Sequence, residues 1–229
     1  MNTLIVGCSF VEELQQQQIS FSKTPCKLIG RPGAGNALLA QIVLDEVAKT
    51  PPNRVIVLWS GINRIDVTVG TELAQLARSY RRWITVVDGV TWASAGGTSG
   101  SWQRLAPFEL QQVFKTHYIE NSQKYFTNRT LTSIILVQNL LKVQGIDCQM
   151  SFIYDPTQPT EDFLDHTLGT LDTESVLYNL VDWTKFQHQT APLYNWAREQ
   201  NGLQNDQFHP RPELTIEWLN TNFGLGLVH

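Results

Sequence analysis

Four short apolar runs, none long enough for a helix, constrain what this chain can fold into. Thr3–Gly7 is continuous and apolar, Lys27–Ile29 and Arg54–Trp59 read the same way, and Gln149–Tyr154 is a fourth. Unbroken rather than alternating hydrophobicity marks strands covered on both faces, which is the condition of a parallel sheet. Between the second and third runs, Ala37–Lys49 carries Leu38, Leu39, Ile42, Val43 and Val47 at close to the helical period. Strands alternating with helices predict a doubly wound, flavodoxin-like parallel sheet with helices on both faces. The result is a three-layer α/β/α fold whose ligands bind beyond the carboxyl ends of the strands. With 42% apolar and 10% aromatic residues the chain can supply a substantial core. No repeat or linker interrupts it, so one domain over residues 1–229 is expected.

The middle is less regular. Trp83–Val87 reads as an extra strand, and Gly89–Ala106, rich in Gly, Ser and Thr, reads as a mobile insertion. Phe108–Gln144 is a long helical stretch with a break expected near Thr127–Thr130 and a stop at Gly145. Asp155–Lys185 is a second irregular region, followed by short helices expected over Pro192–Gln200 and Pro210–Asn220.

Charge and composition exclude several classes. Seventeen Lys and Arg against 21 Asp and Glu leave a net charge of −4, with no basic footprint for a phosphate backbone, so no nucleic-acid partner is expected. No uncharged apolar run approaches the roughly 18 residues of a membrane span. The N-terminus runs directly into a core strand without the features of a signal peptide, which predicts a cytoplasmic protein. Cys8, Cys26 and Cys148 are odd in number and far apart, as reduced thiols would be. His117, His166, His188 and His229 show no paired ligand spacing, so neither metal nor cofactor is expected.

Chemistry gathers at the ends of the strands. Ser9 follows the first strand and precedes a helix, where backbone N–H groups converge on its hydroxyl; an ordinary helix-capping Ser would look the same. Near the other end, Asp206 stands three residues before His209. A carboxylate there can accept from Nδ1 and leave Nε2 facing a hydroxyl, although an Asp capping the following helix is the simpler reading of that pair alone. After the second strand comes Gly30-Arg31-Pro32-Gly33-Ala34-Gly35-Asn36, and after the third Trp59-Ser60-Gly61-Ile62-Asn63-Arg64. A glycine amide and an Asn side chain can join the Ser9 amide as an oxyanion hole, or serve only turn geometry.

A Gly-x-Ser, a Gly turn, a Gly-x-Asn and an Asp-x-x-His-Pro, in that order from Gly7 to Pro210, resemble the SGNH hydrolases, also called GDSL-type esterases. The resemblance implies Ser9 as nucleophile, His209 as base and Asp206 as third triad member. The oxyanion donors it implies are Ser9, Gly33 and Asn63, with Gly35 the alternative to Gly33. Two positions depart from the pattern: Cys8 and Arg64 stand where the family commonly has Asp. Cys8 raises a thiol as alternative nucleophile, but adjacent side chains point different ways and Ser9 is preferred. The implied reaction is ester hydrolysis through an acyl-enzyme, with removal of a short acyl group, acetyl from a carbohydrate, as the first expectation. Trp92, Trp102, Trp183 and Arg64 are the candidate substrate contacts, ordinary packing being the alternative for each Trp. Trp59-Ser60-Gly61-x-x-Arg64 and Tyr194-Asn195-Trp196-Ala197 also look like a bacterial and bacteriophage subgroup, which implies a homo-oligomer or virion assembly as partner. A binding or structural module that kept this fold is the competing class. A nucleotide-binding domain suggested by Gly30–Asn36 ranks last, because its phosphate-loop spacing is missing.

Overall fold

The computed structural model describes residues 2–17, 19, 25–70, 75, 84–95, 106, 108–120, 122–158, 169–186, 190–204 and 209–226. Its main sheet is parallel and four-stranded. In chain order the strands are β1 (Thr3–Gly7), β2 (Cys26–Gly30), β3 (Arg54–Trp59) and, after three strands of a second sheet, β7 (Asp147–Phe152). They lie in the order β2-β1-β3-β7, with Gly7 beside Gly30 and Val6 beside Val57.

The reason the runs are unbroken is visible in how their side chains divide. Leu4, Val6, Val55, Val57 and Trp59 pack on one face against α2 (Asn36–Lys49) and α4 (Gln123–Val143). Ile5, Ile56 and Leu58, the residues between them, pack on the other against α1 (Ser9–Gln16) and α6 (Pro212–Phe223), with Trp218 fully buried. Successive strand residues point to opposite faces, so a sheet covered twice demands apolar residues at every position. This is the expected three-layer α/β/α arrangement. Gly30 allows α1 to lie directly on the sheet, since a Cβ there would fall 1.9 Å from the Glu12 backbone nitrogen.

The segment expected to be an irregular insertion is in part regular. β4 (Ile65–Thr68), β5 (Ile84–Val87) and β6 (Val90–Ala95) form a small antiparallel sheet in the order β4-β6-β5. Val87 pairs with Val90, and both turn residues, Asp88 and Gly89, have positive φ. Asp-Gly flanked by β-branched residues is a hairpin signal, and it lay at the start of the stretch read as a loop. Residues 96–105, including Trp102, and Trp83 lie outside the described residues.

The helix break also differs from expectation. α3 (Phe108–Glu120) ends before Ser122, whose hydroxyl accepts from the Tyr125 N–H at 3.4 Å and starts α4. Thr127 and Thr130 are buried within α4, because their hydroxyls find partners there. Thr130 Oγ1 accepts from Asn36 Nδ2 at 3.0 Å, and Thr127 Oγ1 accepts from the Asp172 N–H at 3.3 Å. Gly145, at φ +66, follows the end of α4 as expected. The last strand runs Asp147–Phe152 rather than Gln149–Tyr154, set by the pairing of Asp147 with Arg54. Within 155–185 there are two short 3-10 turns, Tyr178–Leu180 and Trp183–Lys185, while residues 159–168 are outside the described set. α5 (Leu193–Glu199) and α6 complete the chain, and no described helix is long and apolar enough to cross a membrane.

Candidate functional site

Ser9 is the first residue of α1, directly after β1, so the sheet aims it at the rim while the helix start leaves its early N–H groups without intrahelical partners. Cys8, next to it, is fully buried among Phe10, Val11 and Trp218. The Ser9 hydroxyl, which is partly exposed, donates to the buried Cys8 sulfur with Oγ 3.8 Å from Sγ.

His209 arrives from the other end of the chain. Its loop is closed by a bridge between Leu203 and Pro210, and the Gln204 N–H donates to the His209 carbonyl at 2.7 Å. Gln204 also donates through Nε2 to Glu13 of α1 at 2.8 Å, which ties this loop to the helix that carries Ser9. Phe10 meets the imidazole edge-on, with ring centroids 5.2 Å apart at 87°. In this position His209 Nε2 lies 2.9 Å from Ser9 Oγ. Its Nδ1 is 3.9 Å from Glu13 Oε1. Ser9 and His209 are both partly exposed. Asp206 lies outside the described residues.

Glu13 was not singled out in the sequence. A signal existed: it stands four residues after Ser9, the spacing that places two side chains on one helical face.

The two turns at the ends of β2 and β3 are locked to each other. Asn36 donates through Nδ2 to the Ser60 carbonyl at 3.3 Å and accepts the Ser60 N–H at 2.7 Å, so its amide behaves like a piece of strand. Asp66 of β4 accepts the Gly35 and Leu38 N–H groups, both at 2.8 Å, and the Ser94 hydroxyl at 2.6 Å. Gly35 therefore has its amide committed to Asp66. Gly33 stands at φ +69 with open space where a Cβ would project. Asn63 is buried; the Tyr118 hydroxyl donates to its carbonyl at 2.7 Å, and Gly169 packs so closely that a Cβ there would sit 2.2 Å from Asn63 Oδ1. A small depression beside it is lined by Ser60, Gly61, Ile62, Tyr154, Asp155 and Gly169.

The aromatic candidates are dispersed. Trp92 lies in β6, half-buried against the core. Trp183 donates its indole N–H to the Tyr178 carbonyl at 2.9 Å and packs with Tyr178 and Phe186, which makes it part of the cover over the edge strand β7. Arg64 is half-buried at the end of the turn after β3, where its backbone N–H donates to the Gly61 carbonyl at 3.2 Å.

Searches against protein-family models and curated proteins return no match. Among solved structures, a gut microbial diltiazem-metabolizing enzyme is similar with a TM-score of 0.44 and 10% identity, over 96% of this chain and 45% of that one. The chain thus spans less than half the length of that enzyme.

Proposed function

We propose that this protein is a serine hydrolase of the SGNH type that removes a short acyl group, acetyl first among them, from an esterified carbohydrate. One observation carries the reading: residues 200 apart in sequence bring an imidazole nitrogen to 2.9 Å from a hydroxyl at the carboxyl edge of a parallel sheet. A helix start beneath the hydroxyl and a carboxylate near the far side of the ring are the other parts such an arrangement needs.

In this mechanism His209 takes the Ser9 proton through Nε2 as Oγ attacks the ester carbonyl, and then returns it to the departing alcohol. Water repeats the steps in reverse to release the acid. Asp206 is the proposed orienting carboxylate, with Glu13 a second acid near Nδ1. The tetrahedral oxyanion is assigned to the amides of Ser9 and Gly33 and the side chain of Asn63; the commitment of the Gly35 amide to Asp66 favours Gly33 over its neighbour. A donor of this kind is worth roughly 3 to 4 kcal/mol in the barrier.

The test is labelling of the folded protein with a fluorophosphonate, alongside hydrolysis of p-nitrophenyl acetate and octanoate. Labelling that disappears in Ser9→Ala, with the acetate ester turned over faster than the octanoate, is the expected result. No labelling of folded protein would instead mean a binding module built on this fold, and preference for the octanoate would overturn the short-acyl assignment.

A further inference from the structure

The proposed ester hydrolysis leaves the chemistry of Arg64, at the carboxyl edge, unused. Its Nε and Nη1 atoms are shielded from solvent, and among the described residues neither has a hydrogen-bond partner. The acid beside it, Asp66, is already taken: both its carboxylate oxygens accept from Gly35, Leu38 and Ser94. Tyr118, also near, cannot neutralise it, because burial pushes that phenol far above the ordinary range and its proton stays on. Burial works against the charge on Arg64, yet the electrostatic surroundings, which include the Asp66 carboxylate, outweigh it and the guanidinium stays protonated. A shielded cation with unsatisfied donors is unfavourable in a resting fold, and the usual compensation is an anion.

The surroundings give this charge a use. The turn that Arg64 closes also supplies Ser60, Gly61 and Ile62 to the depression beside Asn63, and Ser60 Oγ is a further shielded atom without a partner among the described residues. Tyr154 lines the same depression and feels the Arg64 charge. It is linked to the proposed catalytic pair through Phe10, at 6.1 Å from Tyr154 and 5.2 Å from His209 between ring centroids. Cys8, whose thiol also feels the guanidinium, adjoins Ser9. Arg64 and the reacting hydroxyl thus share one neighbourhood.

We propose that Arg64 is an anion subsite of this ester hydrolase: its forked guanidinium binds a carboxylate on the substrate, and the esters turned over best are acidic ones. The planar fork suits a carboxylate better than a hydroxyl, and a dry setting strengthens the pair. This inference rests on the hydrolase reading above.

Two matched pairs test it and separate the two places the acid can be. p-Nitrophenyl hemisuccinate against p-nitrophenyl butyrate puts the carboxylate on the acyl side; an O-acetylated galacturonic acid against its methyl ester puts it on the alcohol side. The acidic member of one pair is expected to win by about tenfold or more in kcat/KM, mainly through KM. Arg64→Met should collapse that ratio toward unity, and Arg64→Lys should keep part of it. Thermal unfolding of Arg64→Met should show stability equal to or above that of the parent, since an uncompensated cation is removed. Fluorophosphonate labelling with no acidic preference in either pair, a preference that survives Arg64→Met, or a marked loss of stability in that variant would each overturn the subsite alone. Absence of both labelling and turnover would overturn the hydrolase reading, and the subsite with it.

Discussion

Glu13 and Asp206 divide the question of what orients His209. Glu13 reaches the imidazole from the helix that begins at Ser9, 3.9 Å from Nδ1, a distance of electrostatic support rather than a hydrogen bond. Its other oxygen is already engaged by Gln204. Asp206, from the loop that carries His209, is the proposed direct partner. On that assignment Asp206→Asn should lower kcat by about a hundredfold or more with little change in KM, as loss of the correct tautomer does in other triads. Glu13→Gln should cost about tenfold or less, since it removes a charge that touches neither substrate nor proton in flight. Steady-state kinetics on p-nitrophenyl acetate decides it; equal losses in both variants would make the two acids joint partners, and a larger loss for Glu13→Gln would exchange their roles.

At the level of the elements, the α2 start has no side-chain cap of its own, because Gly35 precedes it. Its cap comes instead from Asp66 of β4, where the negative charge also complements the helix dipole. Asp66→Ala would leave two buried N–H groups and the Ser94 hydroxyl without an acceptor, at a cost of roughly 3 kcal/mol or more. Urea unfolding should show this as a lower midpoint with an unchanged slope, and Asp66→Asn, which keeps one acceptor oxygen, should lose less. A change in Asp66→Ala no larger than that of an ordinary surface substitution would show that water replaces the cap. The same residue ties the small antiparallel sheet to the Gly33 turn, so its loss is also expected to lower the proposed esterase activity.

Across the whole molecule, Cys148 reports on cohesion. It lies on β7, an edge strand, yet is 6% exposed, and burial pushes its thiol up to about 12. An unfolded thiol ionises near pH 9, so its raised folded value contributes stability that is complete below about pH 9 and is lost as pH rises toward 12. Urea midpoints measured from pH 8 to 11 should fall in the parent and fall less steeply in Cys148→Ala. In native protein at pH 8, iodoacetamide should reach the half-exposed Cys26 first and leave Cys8 and Cys148 unmodified until global unfolding. Rapid modification of Cys148 would mean that the β7 edge opens by itself.

The apolar runs by themselves determined the strands of the main sheet and its two-sided cover, because hydrophobic continuity is a local property that one strand displays alone. Ser9 and His209, which the fold brings to 2.9 Å, could be singled out as candidates for a similar reason: each sits in a short block with its own spacing. What only the tertiary structure decided is what depends on partners distant in sequence. Thr127 and Thr130 stay helical because Asn36 and Asp172 satisfy them, Gly35 loses its amide to an aspartate 31 residues later, and Glu13 comes within 3.9 Å of His209 because the chain near residue 209 folds back on α1. The Asp88-Gly89 hairpin was readable locally and was hidden by the Gly-rich composition that follows it. That the Arg64 guanidinium nitrogens Nε and Nη1 are unpaired among the described residues could not be read locally at all, since the nearby Asp66 oxygens are already used by α2 and β6.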